Sequence, residues 1–514
     1  MRAIDMLDHG LARNPEGDCL RDGARTFSHD EVRRLTHRVA HALKNAGVGR
    51  GSRVGIYSPN CALAFVAMLA TFRAGAVWQP IHPRNTVEEN IDFLQENSCE
   101  YLFYHSRTAP EAARFKAEVP TLKGLTAFDA ETEDGPAFEP WAAAYPDFFP
   151  DDAHGPEDIA WVKATGGTTG RSKSVLIRQR SAIALFSAFH WCMPLPRGHI
   201  TLAATPLTHA AGNVSLATIC NGGTIVFLDK AEPGRILDAI EAHGITTLFL
   251  PPTVIYSLLT TPGIRERNFS SLRYFLYTAA PMAAQKMQEA LEVFGTVMAQ
   301  GWGLAEAPLL CTFLGPDDYA KAATNPEILK SCGRPTAFAR VRIIDEQGQE
   351  APVGEVGELV VESDLVMQGY LDRPEENKKA LRDGALYTGD VGYRDAAGYC
   401  YIVDRNKDMI ISGGFNVYPS EVEQVLWRHE AVLDCAVIGV PDEKWGEAVK
   451  AVVQLKPGAS VSEDALRAHC REVLAAYKAP KTIEIWDDLP RSLLGKVLKR
   501  EIRERYWQGQ ARRV

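Results

Sequence analysis

The chain has 514 residues, too many for one hydrophobic core, so at least two domains are expected. Hydrophobic residues make up 46% and charged residues 24%, which is typical of folded globular proteins and excludes a disordered chain. The formal net charge of -9 argues against an extended nucleic-acid-binding surface. The 10 cysteines form no CxxC pair and no Cys/His ligand spacing, which predicts reduced thiols and no structural zinc.

The first residues carry acidic side chains and lack the apolar run of a secretory signal. The most apolar stretch, at 61–78, is interrupted by Arg73 and predicts a buried core helix rather than a membrane span. We therefore expect a soluble, cytoplasmic protein with no transmembrane segment and no nucleic-acid partner. The oligomeric state is left open, and a homodimer is allowed.

From residue 27 onward, helical patterns alternate with short β-branched runs. The first helix has Ser28 and Glu31 at the spacing of a capping box, and Gly47 as its stop. Strands are predicted in "RVGIYSP" and "AVWQPI", with a helix at 61–76 between them. The alternation returns in "TIVFLD", "GRILDAIEAHG", "TTLFLPP", "PMAAQKMQEALEVFG" and "TVMAQGWG". Repetition of this kind predicts largely parallel sheets covered by helices.

The pattern changes after about residue 330, where 339–363 alternates apolar and polar residues around Gly and Pro turns, indicating a small antiparallel β region. Beyond residue 408 the sequence predicts a compact α+β unit, beginning with a helix capped by Ser420 and Glu423. We therefore predict an α/β protein with an N-terminal domain at 1–404, a hinge at 405–408 and a smaller, mobile C-terminal domain at 409–514.

The stretch "WVKATGGTTGRSKSV" at 161–175 concentrates glycines, hydroxyl side chains and a lysine. Residues without a Cβ let consecutive N–H groups converge on an anion, and Lys173 adds a positive charge. A surface turn and a phosphate-binding loop both fit this composition. It is not a Walker A loop, because Ser172 rather than glycine precedes Lys173.

Further motifs follow in a definite order, and with them the sequence resembles the adenylate-forming superfamily. That superfamily contains acyl-CoA synthetases, aryl-CoA ligases, luciferases and peptide-synthetase adenylation domains. The resemblance rests on "TGGTTGRSKS", "PLTHAAG", "YTAAPM", "QGWGLAEA", "LYTGDVGYRD", "DRNKDMIISGGFN" and "PRSLLGKVLKR". It covers essentially the whole chain.

The resemblance implies a nucleotide site in which Trp302 stacks on adenine, Asp390 takes the ribose hydroxyls and Arg405 is their basic neighbour. Mg²⁺ is expected on Glu306 and Thr168, which offer hard oxygen ligands. The implied ATP and AMP ligands are Thr165, Gly167, Thr168, Thr169, Gly170, Lys173, Ala279, Ala280, Pro281, Trp302, Gly303, Asp390 and Arg405.

The resemblance also implies an acyl pocket bordered by His209, a pantetheine tunnel for CoA and a hinge residue, Lys407. Lys496 matches the lysine that bridges the substrate carboxylate and the α-phosphate, and with Glu306 and His209 forms the expected catalytic set. The implied pocket residues are His209, Ala210, Ala211, Gly212 and Tyr277, and the implied CoA residues are Ser412, Gly413, Gly414 and Phe415.

Several positions depart from the family pattern. Gly166 stands for Ser, Ser172 for Pro, Ser174 for Gly, Trp302 for Tyr, alanines stand for the glycines of the "GGAPL" loop, and Ala305 stands for a Thr that helps to hold the AMP phosphate. The expected function is an ATP-dependent carboxylic acid:CoA ligase that forms an acyl-adenylate and then a thioester. An enzyme that loads a carrier protein, an oxygen-dependent luciferase, and a nucleotide-binding regulator without catalysis are the alternatives. The lack of an Asp near the pocket disfavours amino acids and favours an aromatic, cyclic or medium-to-long aliphatic monocarboxylate.

Overall fold

The computed structural model describes residues 1–150, 154–165, 173–278, 280, 282–405, 408–412, 415–442, 445–491 and 497–507. Its first strands are β1 (Asp18–Asp22), β2 (Arg25–Ser28), β3 (Arg53–Tyr57), β4 (Val77–Ile81), β5 (Tyr101–Tyr104), β6 (Gly124–Ala127), β7 (Ile159–Ala164), β8 (Ser174–Arg178), β9 (Ile200–Ala203), β10 (Thr224–Phe227), β11 (Thr247–Phe249), β12 (Tyr274–Tyr277) and β13 (Met298–Trp302). The later strands are β14 (Thr312–Leu314), β15 (Arg334–Pro335), β16 (Arg340–Ile344), β17 (Gly357–Glu362), β18 (Gly369–Tyr370), β19 (Leu381–Arg382), β20 (Ala385–Arg394), β21 (Cys400–Arg405), β22 (Ile410–Ser412), β23 (Phe415–Val417), β24 (Val432–Asp442), β25 (Gly446–Leu455) and β26 (Thr482–Ile485).

The helices are α1 (Ala3–Leu11), α2 (His29–Asn45), α3 (Ala62–Arg73), α4 (Val87–Glu96), α5 (Ala109–Glu118), α6 (Phe138–Ala143), α7 (Gln179–Cys192), α8 (Ala210–Cys220), α9 (Pro233–His243), α10 (Pro252–Leu259), α11 (Ala284–Phe294), α12 (Pro316–Lys321), α13 (Pro374–Ala380), α14 (Pro419–Leu426), α15 (Glu463–Val473) and α16 (Lys499–Glu504). Short 3₁₀ turns occur at Ser106–Thr108, Ile264–Glu266 and Pro326–Lys330.

Two large sheets dominate the described part of the first 400 residues. One runs in the order β15-β14-β13-β12-β11-β9-β10-β1-β2, and the other in the order β18-β8-β7-β4-β3-β5-β6. Pairing is parallel from β1 through β10, β9, β11 and β12 to β13, and also from β7 through β4, β3 and β5 to β6. The prediction of largely parallel sheets is confirmed.

The helix predicted in the most apolar stretch is α3, and it is buried along its whole length from Ala62 to Arg73. A helix that is apolar on all sides has no solvent face to present, so it belongs in a core. Its one charged residue, Arg73, forms an ion pair with Asp8 of α1 and donates from Nε to Thr36 Oγ1. The neighbouring helix α2 begins with the predicted capping box of Ser28 and Glu31.

Two smaller sheets complete the described fold. The predicted antiparallel region is the sheet β16-β17-β20-β19, to which β21 adds alongside β20. The C-terminal sheet has the order β23-β22-β25-β24, with β26 parallel to β25 and with α14, α15 and α16 around it. The described core residues form clusters that lie either before residue 403 or after residue 409.

The predicted cap of the first C-terminal helix is wrong. Helix α14 begins at Pro419, so Ser420 lies inside it instead of preceding it. Proline is well suited to the first helical position, because its φ is already helical and the missing N–H has no intrahelical partner there. Ser420 instead binds the end of β21: its N–H donates to Asp404 Oδ2 at 2.9 Å and its hydroxyl donates to the Val403 carbonyl. Along the described residues, no helix combines the length and apolarity that crossing a membrane requires.

Candidate functional site

Asp390 is the centre of the predicted nucleotide site. It lies on β20 directly opposite Arg405 of β21, and Arg405 Nε donates to Asp390 Oδ1 at 3.1 Å. The indole Nε1 of Trp302, at the end of β13, donates to Asp390 Oδ2 at 3.0 Å. The structure therefore brings together three predicted residues from three strands. Each carboxylate oxygen retains acceptor capacity beyond the bond it already makes.

These two donors fix the orientation of a carboxylate that is 5% exposed. A buried carboxylate without partners would be costly, and the guanidinium of Arg405 supplies both an opposite charge and a hydrogen bond. Arg405 itself keeps 39% of its side-chain surface exposed, so its guanidinium can contact a ligand while it also binds Asp390. Trp302 is buried in the main core, and its orientation is set by the bond to Asp390.

Glu306, the predicted magnesium ligand, lies a few residues after Trp302 and is half-buried. The hydroxyl of Tyr370 donates to Glu306 Oε1 at 2.7 Å. Burial and the neighbouring Glu306 carboxylate raise the pKa of Tyr370, so its hydroxyl stays protonated and remains a donor. Lys173 Nζ lies 4.6 Å from the centre of the Tyr370 ring, which places a positive charge on the same cluster.

Tyr370 was not predicted as a site residue. It is placed there by the antiparallel pairing of β18 with β8, which sets Tyr370 opposite Val175, two residues after Lys173. Glu306 and Tyr370 are 64 positions apart in the sequence, and no local spacing connects them. Only the sheet pairing could have indicated the contact.

The ends of the glycine-rich loop are joined to each other. Thr165 N donates to the Lys173 carbonyl at 2.8 Å, and Lys173 N donates to Thr165 Oγ1 at 3.1 Å. Strands β7 and β8 therefore continue as a hairpin up to the base of the loop. The predicted ligands Gly167, Thr168, Thr169 and Gly170 lie outside the described residues, as do Ala279, Pro281, Lys407, Gly413, Gly414 and Lys496.

Two glycines of the predicted site are explained by packing. A Cβ on Gly303 would lie 2.5 Å from the Ala307 carbonyl oxygen, and a Cβ on Gly212 would lie 2.0 Å from the Leu207 carbonyl oxygen. Both positions therefore require glycine because neighbouring backbone fills the space of a side chain. Ala280, the remaining described residue of its loop, is half-buried.

His209 forms the N-terminal boundary of α8, and its ring is 4.9 Å from that of His82 in an edge-to-face arrangement. The Thr208 hydroxyl lies 2.8 Å from His209 Nδ1. Burial lowers the pKa of His209 to about 3, with His82 and Lys163 contributing in the same direction. Burial lowers the pKa of His82 to about 4. Both imidazoles are therefore neutral near pH 7, and His82 is a neighbour that the sequence did not predict.

The other residues predicted for the acyl pocket differ from one another in how deeply they are buried. Ala210 is half-buried and Ala211 is 4% exposed, both at the start of α8 next to His209. Tyr277 is 1% exposed and belongs to the second core cluster, not to the one that contains Ala211. Its hydroxyl donates to Gln300 Oε1 at 2.7 Å and lies 2.9 Å from the Tyr319 hydroxyl. These bonds are those of a core tyrosine.

The predicted CoA residues Ser412 and Phe415 lie on the neighbouring strands β22 and β23, opposite each other in the pairing register. Ser412 is buried, whereas 57% of the Phe415 surface is exposed. The Phe415 ring packs 4.9 Å from the ring of Tyr477, so an exposed aromatic pair borders this hairpin.

The chain matches two family models: AMP-binding enzyme over residues 7–371, and AMP-binding enzyme C-terminal domain over residues 421–496. It is 37% identical to a feruloyl-CoA synthase from Amycolatopsis sp over 96% of both chains. It is 40% identical to the medium/long-chain-fatty-acid–CoA ligase FadD8 of Mycobacterium tuberculosis over 70% of this chain and 63% of that relative. The crystal structure of ATP-bound MatB from Rhodopseudomonas palustris superposes with a TM-score of 0.89 at 29% identity, covering 98% of this chain and 99% of that one. The chain therefore belongs to the AMP-binding enzymes of the adenylate-forming superfamily, as an AMP-forming acyl-CoA synthetase.

Proposed function

We propose that the chain activates a hydrophobic carboxylic acid with ATP and transfers the acyl group to CoA. The observation that carries this proposal is the convergence of Trp302, Arg405 and Asp390 from three separate strands on one buried carboxylate. A carboxylate held in this way can accept bonds from the two ribose hydroxyls, while the adjacent indole offers an apolar surface for a base.

In the first step, one oxygen of the acid attacks the α-phosphorus of ATP, and the bond to the bridging oxygen breaks to release pyrophosphate. In the second step, the CoA thiol gives its proton to solvent, the resulting thiolate attacks the acyl carbon, and AMP leaves. The substrates carry both nucleophiles, so the protein contributes positioning and electrostatic stabilisation.

Glu306 fits a magnesium site, because it is a half-buried carboxylate whose orientation is set by the Tyr370 hydroxyl. Mg²⁺ bound there would offset negative charge on the triphosphate. Tyr370 orients the Glu306 carboxylate by its hydrogen bond, and Lys173 adds a fixed charge for the phosphates. Thr168 is the second ligand that the family resemblance suggests.

His209 serves the acyl side as a neutral ring. Its pKa of about 3 excludes a charged imidazolium at neutral pH, so it contributes shape and a polar edge. We propose that Lys496 bridges the acid and the α-phosphate, and that the C-terminal domain then rotates about Lys407 to bring the strands of Ser412 and Phe415 to the thioester-forming position.

The relatives indicate the chemical class of the acid. FadD8 is named for fatty acids and the feruloyl-CoA synthase for an aromatic acid, and both are hydrophobic acids. We therefore propose an aromatic, cyclic or medium-to-long aliphatic acid. A pocket bordered by His209 and the small residue Ala210 is consistent with a bulky apolar group.

The test is acid-dependent exchange of labelled pyrophosphate into ATP in the absence of CoA, across a panel of aliphatic and aromatic acids. At least one acid should support exchange, and addition of CoA should then yield AMP and the matching thioester by mass spectrometry. If no acid in the panel supports exchange, the proposal is wrong. If exchange occurs but only a pantetheinylated carrier protein accepts the acyl group, CoA is the wrong acceptor.

A further inference from the structure

Lys163 lies beside His209. It carries an amine, whereas the other residues that we assign to the acyl pocket are apolar or neutral. It is on β7, two residues after Trp161, so both side chains leave the same face of the strand. Trp161 pairs in register with Trp78 of β4. The Lys163 amine is 4.8 Å from the centre of the Trp78 ring and 5.5 Å from that of Trp161.

The amine has few polar partners in the part of the chain that the structure describes. It donates to Asn213 Oδ1 over 3.5 Å, the upper limit for a hydrogen bond. Enough protein surrounds the amine that burial lowers the pKa of Lys163 to about 7, with no described carboxylate acting in the opposite direction. Its side chain nevertheless keeps part of its surface accessible.

The Lys163 side chain lies close to the residues around His209. His82 immediately follows β4, and Lys163 lies near the end of the parallel strand β7, so both are at the same edge of the sheet. His209 and Asn213 lie one turn apart at the start of α8, which covers this edge. The Lys163 charge is close enough to lower the pKa of His209.

Two buried polar atoms of neighbouring residues lack partners in the described part of the chain. Among the described residues, the buried Nε2 of His82 and the buried Nε1 of Trp78 have no hydrogen-bond partner. His82 is 7% exposed and Trp78 is 2% exposed. Buried donors without partners are rare in folded proteins, so their presence near an amine with one long hydrogen bond points to a group that the protein itself does not supply.

We propose that Lys163 is a specificity-determining residue of the acyl pocket, and that it binds an oxygen acceptor on the acyl body of the acid, remote from the carboxylate that is activated. This inference rests on the proposed function. It names the substrate class as hydrophobic acids that carry a second oxygen function, either a ketone or a second carboxylate. An ammonium in apolar surroundings is best matched by an anionic oxygen, and next by a carbonyl oxygen.

The test compares kcat/KM for three matched series: alkanoic acids of graded length, oxo acids with the ketone moved along the chain, and dicarboxylic acids of the same lengths. The wild-type enzyme should prefer the best oxygen-bearing acid over its plain counterpart by about ten- to a hundredfold, the range expected of a charge-assisted hydrogen bond. Whether the ketone or the carboxylate series gives the larger ratio distinguishes the two sources of oxygen.

Lys163→Met should bring this ratio to near one, because methionine has a similar shape but cannot donate. Lys163→Gln is the second variant, since it keeps a donor and should retain part of the preference. Lys286→Met is the matched control: Lys286 lies on α11 and pairs with Glu289, and its removal should leave the ratio unchanged.

A readout that needs no variant is the pH dependence of the ratio for the dicarboxylic acids. Lys163 is charged below its pKa, so the preference should be largest at weakly acidic pH, where the second carboxylate of the acid is still ionised, and should fall at higher pH as Lys163 loses its proton. The facing groups His82 and His209 remain neutral in this range, and Arg84 near His82 remains charged. If the enzyme activates plain acids with no preference for any oxygen-bearing acid, the inference about Lys163 is wrong and the proposed function stands. If it activates no acid, the proposed function fails.

Discussion

On the side of the site that we propose for the nucleotide, the Asp390 carboxylate already accepts hydrogen bonds from Trp302 and Arg405. On the acyl side, the buried Nε2 of His82 has no partner in the described part of the chain, and the Lys163 amine has one long bond. A site for an invariant ligand can be organised in advance by the protein, which lowers the cost of binding. A pocket that selects one acid must keep hydrogen-bond donors unpaired until that acid binds to them.

We predict that substitutions on the nucleotide side lower the activity with every acid by the same factor. Substitutions on the acyl side should lower the activity by a factor that depends on the acid. The variants below test this division.

The largest effect is expected for Lys496→Ala. If Lys496 neutralises charge at the α-phosphate only during adenylation, its loss should slow that half-reaction on the order of 10²- to 10³-fold for every acid. Thioester formation from a supplied acyl-adenylate should stay near the wild-type rate. Quenched-flow assays of the separate half-reactions measure both. Arg500→Ala, which removes an exposed charge paired with Glu504, is the control and should change neither. Equal slowing of both steps would contradict the assigned role.

The next effect is expected for Asp390→Asn. The substitution removes the charge that pairs with Arg405, and the amide can no longer accept at both positions, so ribose binding is weakened. We expect KM for ATP to rise by about ten- to a hundredfold, as for the loss of a charged hydrogen bond, with the ranking of acids unchanged. Steady-state kinetics with two different acids measures this. Asp364→Asn, at a side chain that is 69% exposed, should leave KM for ATP unchanged. If the ranking of acids changes, Asp390 also affects the choice of acid, and the assignment of separate nucleotide and acyl sides is wrong.

The nucleotide half of the proposed site follows from the resemblance of short motifs to those of the adenylate-forming superfamily, and the structure brings Trp302, Asp390 and Arg405 of those motifs together. Asp390 and Arg405 occupy one antiparallel pair, so a strand–turn–strand pattern suffices to bring them together. The alternation of strand and helix patterns likewise predicted the parallel sheets, because buried strands and amphipathic helices differ in their period.

The acyl half could not be predicted in the same way. His82 and His209 meet across 127 positions of the chain, since one follows β4 and the other precedes α8, and no spacing records that contact. The sequence did not single out Lys163, because its significance depends on which described groups surround its amine in three dimensions. Ser420 was assigned as a cap because serine favours that position, but Pro419 before it starts the helix.

Acidification should destabilise the protein partly through His82. Its pKa is lowered to about 4 by burial, so the folded state keeps it neutral while the unfolded chain binds a proton near the ordinary value of about 6.5. Stability therefore falls as pH drops from about 6.5 towards 4, and His82 contributes up to about 2 kcal/mol of that loss by pH 5. Urea unfolding at pH 7 and pH 5 measures the difference.

His82→Gln should reduce the difference in unfolding free energy between pH 7 and pH 5 by the amount that His82 contributes, because glutamine does not titrate. His9→Gln is the control, since His9 lies exposed at the end of α1. An unchanged difference between pH 7 and pH 5 in His82→Gln would mean that the His82 ring is protonated in the folded protein, and the account of a neutral acyl side would then be wrong.

The smallest effect is expected for Ala210→Phe, which narrows the acyl side without touching the nucleotide. Ala210 is half-buried next to His209, so a larger side chain there can enter the pocket, whereas at the buried Ala211 it would strain the core. We expect kcat/KM for the bulkiest accepted acid to fall by about tenfold, a cost of about 1.4 kcal/mol, because loss of pocket volume is felt only by groups that fill it. The smallest accepted acid, assayed with the same variant, is the internal control and should lose little, and KM for ATP should not change. If large and small acids lose activity equally, Ala210 does not border the acyl pocket, and the start of α8 would have to be assigned to the support of the nucleotide side instead.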